Sequence, residues 1–222
     1  MRLKKKSRLI LAMDLEDEKK SLEVCNNVKD YIDAIKVGYP LILSNGLGIL
    51  TKIKKFGKPI IADFKVADIP WTSEKICKLA TTNGADYVII QGFLGEDVIK
   101  TCSKVAKIFV VAEMTHPGAK DFMERNSVGI SAIAKKYAYG VVAPATRPES
   151  IKKIRKIVGD MIIISPGIKV QGGKVGSALN VGARFEIVGK ALAEARIRNR
   201  LVEEGGFACP IIIEGNKDVI AL

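Results

Sequence analysis

Eight short apolar runs punctuate the chain, at Leu9–Met13, Ala34–Val37, Pro59–Phe64, Tyr87–Gln91, Ile108–Glu113, Gly140–Ala143, Met161–Ser165 and Phe185–Val188. They are rich in isoleucine and valine, the pattern of strands buried on both faces. Segments of helical period lie between them. Ile130, Ile133, Ala134 and Tyr137 recur at i, i+3, i+4 and i+7, and Ile151, Ile154 and Val158 hold one face of the next segment. Thr146-Arg147-Pro148-Glu149 has the form of a capping box with a proline in the first turn. Ala193, Ile197 and Leu201 line one stripe of a last helix.

Eight such βα units in 222 residues predict an α/β chain folded as a (β/α)8 TIM barrel. A doubly wound open sheet is the rival architecture, but it has fewer strands and a glycine-rich first turn. The turn here, Asp14-Leu15-Glu16-Asp17, has no glycine, which favours the barrel. With no linker or low-complexity segment, residues 1–222 read as one barrel domain, and residues 206–222 as a C-terminal extension without an assigned role. Within that extension, Phe207-Ala208-Cys209-Pro210-Ile211-Ile212-Ile213 suits an extra strand or a packed tail.

Composition narrows the setting. Hydrophobic residues make up 48% of the chain, yet no run approaches the ~20 apolar residues that span a bilayer. The basic start, Met1 to Arg8, precedes an apolar run too short for a signal peptide and interrupted by Asp14, so a soluble, cytoplasmic protein is expected. Cys25, Cys77, Cys102 and Cys209 show no CxxC pairing and read as free thiols, the first three on apolar helix faces. A single histidine, His116, argues against a His-based metal site. The net charge of +12 suits either nucleic acid or a small anionic substrate. Lysines such as Lys152, Lys153 and Lys156 fall on polar helix faces without interleaved aromatics, so a solvated basic surface is the reading adopted.

In a barrel the chemistry gathers at the carboxyl ends of the strands. The first end carries Asp14, the second Lys36, and the third Asp63 and Lys65, with Asp68 in the loop beyond and able to turn back. Residues i and i+2 of a strand share a face, so Asp63 and Lys65 project together. The fourth end carries Gln91 and the fifth Glu113, followed by Met114-Thr115-His116-Pro117-Gly118. The sixth leads to Thr146-Arg147, the seventh to Ser165-Pro166-Gly167 and Gln171-Gly172-Gly173, and the eighth to Gly189-Lys190. Glycines and a lysine at the last two ends suit phosphate. The pattern implies a phosphorylated substrate whose reacting end lies over the Lys/Asp cluster. Blander readings stand beside each feature. Asp63 with Lys65 is also a possible rim ion pair worth ~0–1 kcal/mol. Lys36 is also a solvated lysine, Gly172-Gly173 a plain turn, and His116 before Pro117 a loop-packing residue.

The strand ends carry a recognisable set of motifs: Leu11-Ala12-Met13-Asp14-Leu15, Lys36-Val37-Gly38-Tyr39-Pro40, Asp63-Phe64-Lys65-Val66-Ala67-Asp68-Ile69-Pro70, Glu113-Met114-Thr115-His116-Pro117-Gly118, Ser165-Pro166-Gly167 with Gln171-Gly172-Gly173, and Ile187-Val188-Gly189. From about Leu9 to Gly189 the chain resembles the orotidine 5′-phosphate decarboxylases of the archaeal type. The DxKxxD pattern alone is shared with hexulose-phosphate synthases and keto-gulonate-phosphate decarboxylases; its flanks and Met-Thr-His-Pro-Gly favour the orotidylate branch.

The resemblance implies decarboxylation of orotidine 5′-monophosphate to UMP in pyrimidine biosynthesis, with no metal or organic cofactor, by a homodimer with shared sites. Lys36, Asp63, Lys65 and Asp68 would form the catalytic charged network, with Asp68, Ile69 and Thr72 reaching into the partner's site. Asp14 and Lys36 would hold the ribose and Thr115 the pyrimidine, in place of a serine. Pro166 would line the pocket. Gln171 would bridge base and phosphate beside Gly172 and Gly173, and Gly189 would offer an amide to phosphate. Lys190 stands where the family has arginine, supplying charge without the bidentate fork. Two rivals are a metal-dependent sugar-phosphate lyase or aldolase on the same scaffold, and a basic nucleic-acid-binding protein.

Overall fold

Strand follows helix from the first apolar run onward in a computed structural model that describes residues 1–169 and 171–189, with the backbone of Arg196–Ile197 and Ile213–Glu214. Strands β1 (Leu9–Met13), β2 (Ala34–Gly38), β3 (Ile60–Val66), β4 (Tyr87–Gln91), β5 (Ile108–Val111), β6 (Gly140–Val142), β7 (Ile162–Ser165) and β8 (Phe185–Val188) pair in sequence order and close into a barrel. All eight ladders are parallel, including the closing one, where Ile10 lies opposite Ile187. The expected (β/α)8 architecture is the one observed.

Two apolar layers follow from the period of two along each strand. Ile10, Ala34, Ile61, Ile89, Val111, Val142, Ile164 and Ile187 fill the barrel interior. Their alternate neighbours Leu9, Leu11, Ile35, Val37, Ala62 and Val88 face outward and pack under the helices. The amino-terminal mouth is closed by Leu3 and the rings of Tyr87, Phe109 and Tyr139, with centroids 4.8–5.6 Å apart. Gly140 makes room for this plug: a Cβ there would lie 2.4 Å from the Phe109 ring.

The helices on the outside are α1 (Glu18–Val28), α2 (Tyr39–Asn45), α3 (Gly48–Lys54), α4 (Pro70–Thr82), α5 (Glu96–Ser103), α6 (Ala119–Tyr137), α7 (Pro148–Val158) and the short α8 (Ser177–Asn180). Ile151, Ile154 and Val158 form the buried stripe of α7, and Ile130 and Ala134 that of α6. Cys25, Cys77 and Cys102 are buried free thiols on α1, α4 and α5, as their apolar faces imply; Cys209 lies outside the described residues. Among the described residues no helix is long and apolar enough to cross a membrane.

Three sequence expectations need correction. The fifth strand ends at Val111 rather than Glu113, because β6 stops at Val142 and the amides of Ala112 and Glu113 converge on that one carbonyl. The capping box at Thr146 does not form. Arg147 is the residue flanking α7 and makes no side-chain cap, and the Thr146 hydroxyl donates to the carbonyl of Thr115 instead. The proline does occupy the first turn. Of the last helix expected through Ala193, Ile197 and Leu201, the described pair β9 (Arg196–Ile197) is a strand, antiparallel to β10 (Ile213–Glu214). Here β-branched Ile197 stands opposite Ile213, a pairing that favours extended backbone.

Candidate active site

The alternation that fills the barrel with aliphatics also aims charge at its carboxyl end. Ala34 and Ile61 point inward, so Lys36 and Asp63, each two residues on, point inward one layer higher. The Asp63 carboxylate is buried between two ammonium groups, with Lys36 Nζ 2.7 Å from Oδ2 and Lys65 Nζ 2.9 Å from Oδ1. Asp14 extends the row from β1, 3.7 Å from Lys36 Nζ. Gly38 gives it space, since a Cβ there would sit 2.0 Å from the Asp14 Oδ1. The result is an alternating chain, Asp14–Lys36–Asp63–Lys65, across three adjacent strand ends.

Burial by itself would raise the Asp63 pKa, but the charges and hydrogen bonds of Lys36 and Lys65 outweigh it and hold the carboxyl below its usual range. Removing one partner from a buried pair of this kind costs about 3–5 kcal/mol. The cluster is therefore a fixed arrangement of ionised groups.

Lys65 does not continue β3 regularly. Its φ is +39°, in the left-handed region, and the ladder to β4 shifts register between Ala62 and Val66. A non-glycine residue held this way carries strain on the order of 1–3 kcal/mol. Beside it, the Tyr39 hydroxyl donates to the carbonyl of Phe64, and the two rings stack with centroids 5.8 Å apart and planes 16° apart.

The opposite wall comes from β5 to β7. Glu113 has no solvent exposure, and its carboxylate accepts from Arg147 Nε, while the same guanidinium donates to the carbonyls of Met114 and Thr115. The Thr146 hydroxyl adds a bond of 3.2 Å to the Thr115 carbonyl, and the Ala145 amide binds the Pro166 carbonyl at 2.9 Å. The loop after β7 is cross-bonded within itself: Gly173 N donates to Gly167 O at 2.9 Å, Lys169 N to Gly173 O at 2.7 Å and Gly172 N to Lys169 O at 2.9 Å. A Cβ on Gly173 would lie 2.5 Å from the Gly167 oxygen, so glycine is required for the fold-back.

Between the walls lies a cavity of about 550 Å³, within the range of small-ligand sites. Its floor is apolar, formed by Ile89, Val111, Val142 and Ile187. Asp14, Lys36, Asp63, Lys65, Thr115, Pro166, Gln171 and Gly189 all line it.

Other residues lie off it. Asp68 does not turn back toward Asp63 and Lys65 of its own chain; it is exposed, with its carboxylate accepting from the Ile69 amide directly after it. Ile69 and Thr72, expected with Asp68 in a partner's site, are likewise off this cavity. The local turn into Pro70 at the start of α4 satisfies Asp68 where it stands. Gly172 and Gly173 are not on the wall either, and their amides are committed to the loop's own bonds. Lys190 lies outside the described residues. His116 is exposed and off the cavity.

Sequence reasoning missed two features. Tyr39 lines the cavity, and its only local signal was its place after the second strand's glycine. The Glu113–Arg147 pair joins residues 34 apart in the chain. Its signal was hidden in a false capping box.

The family model described as orotidine 5′-phosphate decarboxylase / HUMPS matches residues 7–199. An orotidine 5′-phosphate decarboxylase of Methanosarcina mazei is 47% identical over 194 residues, covering 84% of this chain and 88% of that one. One from Methanocaldococcus jannaschii is 46% identical over 198 residues, 85% of this chain and 92% of that one. The crystal structure of the Methanocaldococcus jannaschii decarboxylase complexed with the inhibitor BMP superposes with a TM-score of 0.80 at 45% identity, covering 85% of this chain and 91% of that one. The decarboxylase structure from Pyrococcus horikoshii gives 0.79 at 40% identity, covering 84% and 91%.

Proposed function

Because this chain belongs to the orotidine 5′-phosphate decarboxylase / HUMPS family, we propose that it is a carboxy-lyase that converts orotidine 5′-monophosphate to UMP and CO2 in pyrimidine biosynthesis, without a metal ion. The observation that carries this reading is the ammonium of Lys65, held 2.9 Å from a buried aspartate at the rim of an apolar-floored cavity.

When the bond from C6 to the carboxylate breaks, its electron pair stays on C6 and CO2 leaves. Lys65 faces that developing charge as a fixed cation and then transfers a proton to C6, regaining one from solvent afterwards. Preorganised charge of this kind is the largest single contribution in many enzymes. Asp63 holds the Lys65 ammonium in place, and its own proximity to the departing carboxylate adds a smaller ground-state effect. Asp14 and Lys36 hold the ribose hydroxyls, Thr115 the pyrimidine edge, and Gln171 spans base and phosphate. Gly189, followed in sequence by Lys190, serves the phosphate. Closure of the Gln171-Gly172-Gly173 loop over the phosphate would couple remote binding to the reaction.

Metal independence is supported by the donor set. Both oxygens of the Asp63 carboxylate are already paired with lysines, which leaves it a poor metal ligand. A homodimer is supported by the exposed start of α4. Ile69 and Trp71 are each 64% exposed, and Asp68, Ile69 and Thr72 do not line their own chain's cavity, which leaves them to complete a partner's. The setting we assign is the cytoplasm, with no nucleic-acid or membrane partner, and the chain acts as one barrel domain with its final residues an extension.

The test is spectrophotometric. Loss of orotidine 5′-monophosphate absorbance, equal with and without EDTA, is expected. No turnover would overturn the reading in favour of a sugar-phosphate lyase on the same scaffold, and turnover abolished by EDTA would overturn its metal independence.

A further inference from the structure

We propose that Tyr39 is a positioning residue for Lys65: its hydroxyl tethers the carbonyl of Phe64 and so holds the lysine's backbone in the left-handed turn that delivers the ammonium to Asp63. The inference rests on the proposed decarboxylation, in which Lys65 supplies the proton.

The argument begins with a peptide plane. The carbonyl of Phe64 and the amide of Lys65 belong to one rigid unit, which rotates as a whole about ψ of residue 64 and φ of residue 65. The φ of +39° at Lys65 is therefore a statement about where the Phe64 oxygen points. An L-residue rarely adopts that value unless its surroundings impose it. Turning the plane over would return Lys65 to ordinary extended backbone and take the oxygen to the other side. The Tyr39 hydroxyl sits on that oxygen and opposes the rotation.

Tyr39 can do this because of where the ladder puts it. Gly38, the last residue of β2, lies opposite Asp63 of β3, so the residues that follow them, Tyr39 at the start of α2 and Phe64 in β3, meet side by side. Their rings stack nearly parallel, which fixes the direction of the phenol. Burial and then the charge of Asp63 push the Tyr39 pKa upward, so the phenol stays a donor throughout the neutral range. Tyr39 is 47% exposed and lies outside the buried core, so its position answers to the site more than to stability.

The displaced backbone is also what the site uses. The register shift between Ala62 and Val66 inserts extra chain at the end of β3. That excess brings Lys65 Nζ to the second carboxylate oxygen of Asp63, while Lys36 holds the first. If the plane relaxed, the lysine would keep its charge and lose its aim.

The experiment compares the full chain with Tyr39→Phe, which keeps the ring and deletes only the hydroxyl, and with Phe64→Leu, which keeps the tethered carbonyl and deletes the stacked ring. Four quantities are read: kcat and KM for orotidine 5′-monophosphate, the Kd of UMP, and the rate of solvent deuterium exchange at C6 of 5-fluoro-UMP. The halogen acidifies that hydrogen, and its exchange is the proton transfer run in reverse. Tyr39→Phe is expected to lower kcat and the exchange rate together by about tenfold or more, with KM and the UMP Kd within about twofold, since ~1.4 kcal/mol is one factor of ten. Phe64→Leu should lose less than Tyr39→Phe. Wild-type kcat and exchange in Tyr39→Phe would overturn the inference, as would a rise in KM with kcat intact, or a larger loss in Phe64→Leu. In those cases the wild type still turns over and the proposed function stands. A wild type inert toward orotidine 5′-monophosphate would instead sink that function, and this inference with it.

Discussion

The two walls of the cavity use charge for different ends. On the side of β1 to β3, four ionised groups alternate and the last of them, Lys65, is about one-third exposed at the rim. On the side of β5 to β7, Glu113 and Arg147 are paired inside the wall, and the guanidinium's remaining donors go to the carbonyls of residues 114 and 115. One wall offers its charge to whatever enters. The other uses its charge to hold Thr115 and, through Thr146 and Ala145, the root of the Gly167–Gly173 loop. Backbone strain does not separate them: Lys65 (φ +39°) takes the left-handed region on the reactive wall, and Lys169 (φ +59°) takes it beside Gly167 and Gly172 in the loop of the opposite wall. Groups that act on a reacting atom must be aimed, and groups that frame a ligand need only be packed.

That division can be broken most directly at Lys65. Lys65→Ala should lower kcat by about 10³-fold or more, in line with loss of a preorganised charge, while the fold remains and melting shifts by only a few degrees; steady-state kinetics beside a thermal melt decides it. Near-normal turnover would remove the distinction between the walls.

Asp63→Asn should cut kcat/KM by about 10²-fold, because two lysines then converge on a neutral amide, and should also destabilise the fold by about 3–5 kcal/mol at neutral pH. The acid side of the stability profile sharpens this. Asp63 has a depressed pKa in the fold, so its ionised form adds stability that is present above about pH 4. That stability is lost as the pH falls through the lowered value. Melts taken from neutral to strongly acidic pH should show the wild type and Asp63→Asn converging at the acid end.

The smallest effect is expected on the framing wall. Glu113→Gln weakens the hold on Arg147 without touching the charged row, so KM should rise about tenfold with kcat within about twofold. A kcat loss comparable to that of Lys65→Ala, at unchanged KM, would show that both walls take part in the chemistry.

Much of this was legible from residue order. The alternation of Ala34 with Lys36 and of Ile61 with Asp63 is local, and it already sends aliphatics to the barrel interior and charge to its rim. Helix stripes such as Ile151, Ile154 and Val158 are equally local, because 3.6 residues per turn fixes which side is covered. Asp68 shows the limit. Its spacing from Lys65 allowed a turn back within its own chain, but a loop residue takes its direction from the bond it finds, here the Ile69 amide.

The chain's own order therefore determined the number of strands, their inward faces and the charged residues that reach the carboxyl end, since each depends on neighbours within a few positions. Closure of the barrel decided the rest: the register shift that turns Lys65, the Tyr39 hydroxyl that meets Phe64, and the pairing of Glu113 with Arg147. Those contacts join different βα units, and their geometry exists only when all eight strands share one ring.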